Sequence, residues 1–173
     1  MRTDSVRKIA YASMFVAISV VVCVIAGVFQ TMSLAITAIA GLVGAISLLL
    51  CGYKYSLLVY ISTSILALLI VPNKECVVYY ILFFGHYPMT KLLIERANNK
   101  FLLWFIKILL ANILYIAEML IAAYILGVYE FVGATFFFMT TVLFNVAFVL
   151  YDICITRVMV SFIIRRSQNR RFR

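Results

Sequence analysis

The amino-acid sequence predicts an all-α membrane protein with six transmembrane helices and both termini in the cytoplasm. Of its 173 residues, 66% are apolar and only 12% are charged, against about 25% charged residues in soluble domains. The mean hydropathy is +1.14, and the apolar runs are too long and continuous for the alternating strands of a membrane β-barrel. Because one helix needs about 20 residues to cross the hydrocarbon core, we expect a single transmembrane domain over residues 1–173.

Polar and turn-forming residues divide the apolar sequence into six segments. Residues 30–33 separate the first two segments, and residues 52–55 predict a tight turn before the third. Pro72 and the charged residues after it end the third segment, residues 95–100 precede the fifth, and Gly127 closes the fifth. The predicted spans are residues 9–29, 34–51, 56–71, 76–94, 101–126 and 134–164.

The sixth segment is longer than one bilayer crossing requires, so we expect it to tilt or to project a basic end into the cytoplasm. The arginine-rich tail over residues 165–173 is predicted to be solvated. With the N-terminus inside, twelve of the fifteen Lys and Arg residues fall on the cytoplasmic side and only Lys74 falls outside. This positive-inside bias favours six spans with both termini inside. The net charge of +9 therefore predicts topology, and no nucleic-acid partner is expected.

The sequence contains none of the catalytic motifs expected of a membrane enzyme. A GxxxxGK[ST] phosphate loop, an HExxH motif and a GxSxG nucleophile elbow are all missing from it. One histidine cannot build a His-rich metal site. We therefore expect no enzymatic activity, no cofactor and no metal, so that any ATP hydrolysis belongs to partner subunits.

Several ionisable residues lie within the predicted spans, where they are costly unless they face a partner or a cavity. At about 1.5 Å per residue, Lys107 and Asp152 reach a similar level near the inner side. Arg157 lies about one turn further inward. The sequence thus predicts that Asp152 pairs with Lys107 or with Arg157, as a structural clamp or as part of a partner-docking surface.

Glu118 is predicted to lie in the outer half of the fifth span. No cation within a span shares its depth, and the nearest candidate is Lys74 in the outer loop. Glu118 then either reaches outer water or pairs with Lys74, or it contacts a ligand in an outward-facing pocket. The candidate substrate-binding residues under the last alternative are Glu118, Tyr79, Tyr80, His86, Asn112, Tyr115 and Asn145.

These candidates each have a simpler alternative. Tyrosines supply stacking walls and hydroxyl donors, but they are also common in the aromatic belts at membrane interfaces. His86 lies between Gly85 and Pro88, which indicates a kink that frees backbone groups toward a cavity. A packing role would equally satisfy His86.

Small residues recur four positions apart in the first two spans. Such spacing makes a flat stripe on which another helix backbone can approach closely. Each stripe serves either internal packing or the docking of a second membrane protein. In the first span the pair is Ser13 and Ala17, flanked by Ala10 and Ala12; in the second the pairs are Ala40 with Gly44 and Gly41 with Ala45.

Two sequence runs resemble the substrate-binding (S) component of energy-coupling factor vitamin transporters. Residues 6–17, VRKIAYASMFVA, are similar to that family's opening, in which an AxxxA motif contacts the coupling subunit. Ser13 stands in place of the first alanine, and Ala17 is the second. Residues 50–59, LCGYKYSLLV, are similar to the family's Gly-x-Lys-Tyr-Gly turn, with Ser56 in place of the second glycine.

The resemblance implies a six-span subunit with both ends inside and a ligand site in its outer half. It further implies a small water-soluble vitamin or related nutrient as ligand, and partners consisting of a transmembrane coupling subunit and two cytoplasmic ATPases. Ala10, Ser13 and Ala17 would form the docking face. The histidine-rich N-terminus of the cobalt and nickel relatives is missing, so a metal ion is not the expected substrate. The alternative is a six-span cell-envelope scaffold that resembles the MreD type and has no transport activity.

Overall fold

The computed structural model describes the backbone of residues 2–95, 100–125 and 134–171. Over these residues the chain is almost entirely helical with no strand, which confirms the predicted fold class. Six stretches are long and apolar enough to cross a membrane. The length and composition of these helices indicate a multi-pass membrane protein. The six stretches are Ser5–Val28, Ser33–Cys51, Tyr53–Ile70, Lys74–Ile94, Leu103–Ile121 and Phe138–Ile164.

The first three spans are continuous helices: α1 (Arg2–Val28), α2 (Ser33–Cys51) and α3 (Tyr53–Ile70). A short 3₁₀ turn, Gln30–Met32, joins α1 to α2. Gly52 alone reverses the chain between α2 and α3, with φ of 91°, a left-handed conformation that glycine adopts without steric cost. The predicted turn over residues 52–55 is therefore too long, because residues 53–55 already form the first turn of α3.

The fourth span is interrupted near its middle. It consists of α4 (Lys74–Tyr79), a π-helical segment (Tyr80–Phe84) and α5 (Tyr87–Ile94). Tyrosine hydroxyls from other helices donate hydrogen bonds to backbone carbonyl oxygens of this π-helical segment. Tyr60 donates to the Ile81 carbonyl at 3.0 Å, and Tyr151 to the Phe84 carbonyl at 3.4 Å. Pro88 lies in the first turn of α5, where its missing N–H is not needed. The irregularity predicted from Gly85 and Pro88 is thus confirmed.

The last two spans are α6 (Lys100–Ile125) and α7 (Ala134–Arg171). The 38 residues of α7 extend about 57 Å at the usual rise, against about 30 Å of hydrocarbon. The helix therefore continues through most of the predicted basic tail. Residues 172–173 of that tail, residues 96–99 and the region around Gly127 lie outside the described residues.

Helix α2 lies at the centre of the bundle and contacts α1, α3, α4, the π segment, α5 and α7. Its small residues make this packing possible. A Cβ at Gly41 would lie 2.6 Å from the Phe84 carbonyl oxygen and would also collide with the Tyr151 hydroxyl. Ala40, Gly44 and Ala45 are also buried. The small-residue stripe of α2 therefore serves internal packing.

Candidate functional site

Four charged residues form an ionic cluster where α5, α6 and α7 meet: Lys91, Glu95, Lys107 and Asp152. Lys107 lies 3.0 Å from Asp152 Oδ2 and 3.0 Å from Glu95 Oε1. Lys91 pairs with Asp152 Oδ1 and lies 3.5 Å from Glu95. Lys91, Lys107 and Asp152 are only 1%, 6% and 3% exposed, whereas the Glu95 side chain is 40% exposed. Two ammonium groups and two carboxylates thus balance in charge within the bundle.

Neutral groups complete the hydrogen bonding of this ionic cluster. The Tyr87 hydroxyl donates to Asp152 Oδ1 at 2.6 Å. Lys91 Nζ also donates to the Asp152 carbonyl oxygen at 2.9 Å and to Thr156 Oγ1 at 2.7 Å. Buried charges are tolerated when they are both paired and hydrogen-bonded, and this cluster meets both conditions.

The predicted pairing of Asp152 with Lys107 is confirmed. The other predicted partner, Arg157, is exposed and makes no ion pair within the described part of the chain. Lys91 and Glu95 were expected near the inner surface and in a flanking loop, so the sequence did not predict their part in the cluster. A lysine three residues before the end of α5 gives no signal that its side chain turns into the bundle.

Polar contacts continue along α6 and α7 away from the ionic cluster. The Asn112 and Asn145 amides donate to each other, with both N···O distances 3.1 Å. Further along, the Tyr115 hydroxyl donates to Thr140 Oγ1 at 3.0 Å. Because the residue numbers rise on α6 as they fall on α7, these contacts are rungs between two antiparallel helices. Asn112 and Asn145, predicted to bind substrate, pair with each other here.

Glu118 lies toward the other end of α6, about 16 Å along the helix from Lys107. The Tyr79 hydroxyl of α4 is close enough to its carboxylate to interact with it, and Tyr115 interacts with Tyr79. Tyr115 also stacks on Phe144, with ring centroids 4.8 Å apart. We call the group of Tyr79, Tyr115 and Glu118 the Glu118 patch.

The Glu118 patch has no counter-ion among the described residues. The predicted alternative that Lys74 pairs with Glu118 is wrong. Lys74 Nζ instead donates to the carbonyl oxygens of Leu68 at 2.7 Å and Val71 at 2.9 Å. A cation at the C-terminal end of α3 interacts favourably with the helix dipole. The Lys74 ammonium group is therefore stabilised by the end of α3 and not by Glu118.

Tyr80 and His86 do not join the Glu118 patch. Tyr80 is fully buried and its ring lies 6.2 Å from that of Tyr60 on α3. His86 also packs edge-on against Tyr60 and interacts through Nδ1 with the Ile81 carbonyl at 3.2 Å. Both residues hold the irregular fourth span against α3, which is the packing alternative for His86.

An apolar cavity of about 390 Å³ lies between α2, the π segment, α5, α6 and α7. Its volume falls within the range typical of small-molecule sites. The sequence did not predict it, because residues from five elements surround it. The lining residues are Leu34, Ala35, Ala38, Ile39, Leu42, Phe83, Phe84, Tyr87, Leu110, Ala111, Leu114, Phe144, Ala147, Phe148, Leu150, Tyr151 and Cys154.

The small-residue stripe of α1 is exposed, unlike that of α2. Ala10, Ser13 and Ala17 all lie on the outer surface of the bundle. The Ser13 hydroxyl donates to the Ala10 carbonyl at 2.9 Å, so it is satisfied without an external partner. Beside the stripe, residues of α1 and α3, among them Ser13 and Ser62, line a groove of about 330 Å³.

Comparisons with protein-family models, curated proteins and solved structures find no match to the chain.

Proposed function

We propose that this chain is the membrane-embedded S component of an energy-coupling factor importer in the bacterial cell membrane. It captures a small water-soluble nutrient at the outer half of the bundle. It then docks through α1 on a transmembrane coupling subunit that is driven by two cytoplasmic ATPases. The observation that carries this proposal is the exposed stripe of Ala10, Ser13 and Ala17 on α1.

The exposed stripe has the properties of a helix-docking surface. Lipid tails pack equally well against large side chains, whereas small residues permit the close approach of a second helix backbone. The self-satisfied Ser13 hydroxyl adds no unpaired group to such an interface. The neighbouring groove between α1 and α3 gives room for one side chain from the partner helix.

The rest of the bundle is consistent with a subunit that binds solute and depends on a partner for energy. A cavity of typical ligand volume lies close to the Glu118 carboxylate, which has no cationic partner among the described residues. None of the residues that line this cavity belongs to α1, which carries the exposed stripe. Docking and capture would therefore use different surfaces of the same chain.

The docking face is tested by co-purifying the chain with the coupling subunit and the two ATPases. We expect the double variant Ser13→Leu/Ala17→Leu to reduce the recovered coupling subunit by about tenfold, because two leucines separate the helix backbones. Ser161→Leu, an equal enlargement at an exposed position on α7, is the matched control and should recover the wild-type amount. Unchanged recovery with the double variant would contradict the docking assignment. A wild-type chain that recovers no coupling subunit would favour the MreD-type scaffold.

A further inference from the structure

We infer that the Glu118 patch and the apolar cavity form one bipartite site for an organic cation that carries an apolar ring. The inference deepens the proposed function and rests on it, since it names the chemical class of the captured solute. The ring would occupy the cavity and the cationic group would pair with the Glu118 carboxylate.

The cavity is built to admit a ring. Four alanines from three helices leave the space open, and aromatic side chains also line it. Phe83 and Phe144 have centroids 4.9 Å apart, and Phe84 and Tyr151 meet edge-on at 4.8 Å. Aromatic walls accept a further ring in stacked or edge-on geometry. The four alanines are Ala35, Ala38, Ala111 and Ala147.

The cavity wall has no group for a charge. Among the described residues that line it, the polar side-chain groups are the Tyr87 and Tyr151 hydroxyls and the Cys154 thiol. Tyr87 donates to Asp152, and Tyr151 donates to the Phe84 carbonyl. A charged group in this space would lack a partner, which is strongly unfavourable. The part of the ligand in the cavity is therefore apolar and uncharged.

The Glu118 patch adjoins this apolar space. Phe144 lines the cavity and stacks on Tyr115. Tyr115 interacts with Tyr79, whose hydroxyl faces Glu118. Leu114, another lining residue, immediately precedes Tyr115. A ligand that fills the cavity can thus present a substituent to the Glu118 carboxylate within one or two helical turns.

Charge then selects the class of ligand. Glu118 is half-buried and has no cationic partner among the described residues, since Lys74 is engaged by α3. A cationic substituent would supply the missing partner, and an anionic one would be repelled. A lipid acyl chain could fill the cavity, but the chain itself carries no charge to pair with Glu118, so native mass spectrometry is needed to separate a lipid from a solute.

The test uses three naphthalene probes that differ in charge: 1-naphthylmethylamine, 1-naphthalenemethanol and 1-naphthoic acid. Their binding to the purified full-length chain in nanodiscs is measured at pH 7 and corrected with empty nanodiscs. We expect the amine to bind at least tenfold more tightly than the alcohol and the acid to bind least. In Glu118→Gln the amine and the alcohol should bind equally.

Cavity-filling variants test the apolar half of the site. Ala111→Leu and Ala147→Leu should each weaken all probes by about tenfold, whereas Val146→Leu, at an exposed neighbouring position, should leave binding unchanged. Thermal unfolding identifies any variant that fails to fold, and two separate filling positions guard against that failure. Wild-type affinity in either folded filling variant would overturn the cavity as the ring site.

The remaining outcomes also decide the inference. A preference for the amine that persists in Glu118→Gln, or no preference in the wild type, would overturn the role of the carboxylate. Native mass spectra that show a phospholipid displaced by Ala111→Leu, with no probe binding, would assign the cavity to lipid. Because binding is measured on the isolated chain, these failures are separate from a failure to dock on the coupling subunit.

Discussion

The ionic cluster and the Glu118 patch are two sites of charge within the same bundle, and they differ in whether that charge is neutralised. In the ionic cluster, the Asp152 carboxylate pairs with the ammonium groups of two lysines and accepts a hydrogen bond from a tyrosine hydroxyl. In the Glu118 patch, the carboxylate has a tyrosine beside it and no cation among the described residues. Asp152 and Glu118 both lie in stretches that are long and apolar enough to cross a membrane.

We propose that this difference separates a structural role for the ionic cluster from a binding role for the Glu118 patch. Buried charges that saturate one another fix the arrangement of helices, and removing one partner leaves another charge uncompensated. A charge without a partner adds little to stability, and it retains its capacity to bind a ligand. The same acidic chemistry therefore predicts opposite consequences of mutation at the two sites.

The largest effect on stability is expected from Asp152→Asn. Within the described part of the chain, the variant leaves Lys91 and Lys107 with Glu95 as their remaining carboxylate, and Glu95 is partly exposed. Breaking a buried ion pair typically costs about 3–5 kcal/mol. Denaturant unfolding of the purified protein measures the loss. Arg157→Gln, one turn away and exposed, is the control and should change the unfolding free energy by less than about 0.5 kcal/mol. A comparable small change in Asp152→Asn would remove the distinction between the two sites.

An intermediate effect is expected at the neutral rung between α6 and α7. Asn112→Leu removes both amide hydrogen bonds with Asn145, and interhelical polar contacts of this kind contribute about 0.6–2 kcal/mol in membranes. The double variant Asn112→Leu/Asn145→Leu should be more stable than either single variant, because no unpaired amide remains. The double-mutant cycle by unfolding measures this coupling, and additive losses would show that the two amides do not interact.

The smallest effect on stability is expected from Glu118→Gln. The substitution removes a charge that has no cationic partner among the described residues, so the unfolding free energy should stay within about 1 kcal/mol of wild type. The same variant should lose its preference for cationic ligands. A destabilisation as large as that of Asp152→Asn would mean that Glu118 is part of the structural framework.

The sequence predicts the helical framework of this chain well, because apolar run length and charge position report directly on membrane crossing. The pairing of Lys107 with Asp152 was also predictable, since the fixed rise of a helix places both at one level. The isolation of Glu118 from other in-span cations followed from the same arithmetic.

Other features depend on tertiary contacts that the sequence does not reveal. The stripes of α1 and α2 have the same spacing, and only the packing of Gly41 against Phe84 shows which one is internal. From its sequence position, Lys91 is expected to lie near a loop at the inner surface, although its side chain is buried against Asp152. The π segment depends on side chains such as Tyr60 and Tyr151, which lie far from it in sequence.

The most direct test of the solute-binding account is mass spectrometry of what the purified chain releases on denaturation. Cells are grown in rich medium, and wild type, Glu118→Gln and Arg157→Gln are purified in parallel. The account predicts a low-mass, non-lipid cation from wild type and Arg157→Gln that is lost from Glu118→Gln. Release of phospholipid alone from all three, or equal release of the cation from Glu118→Gln, would contradict it.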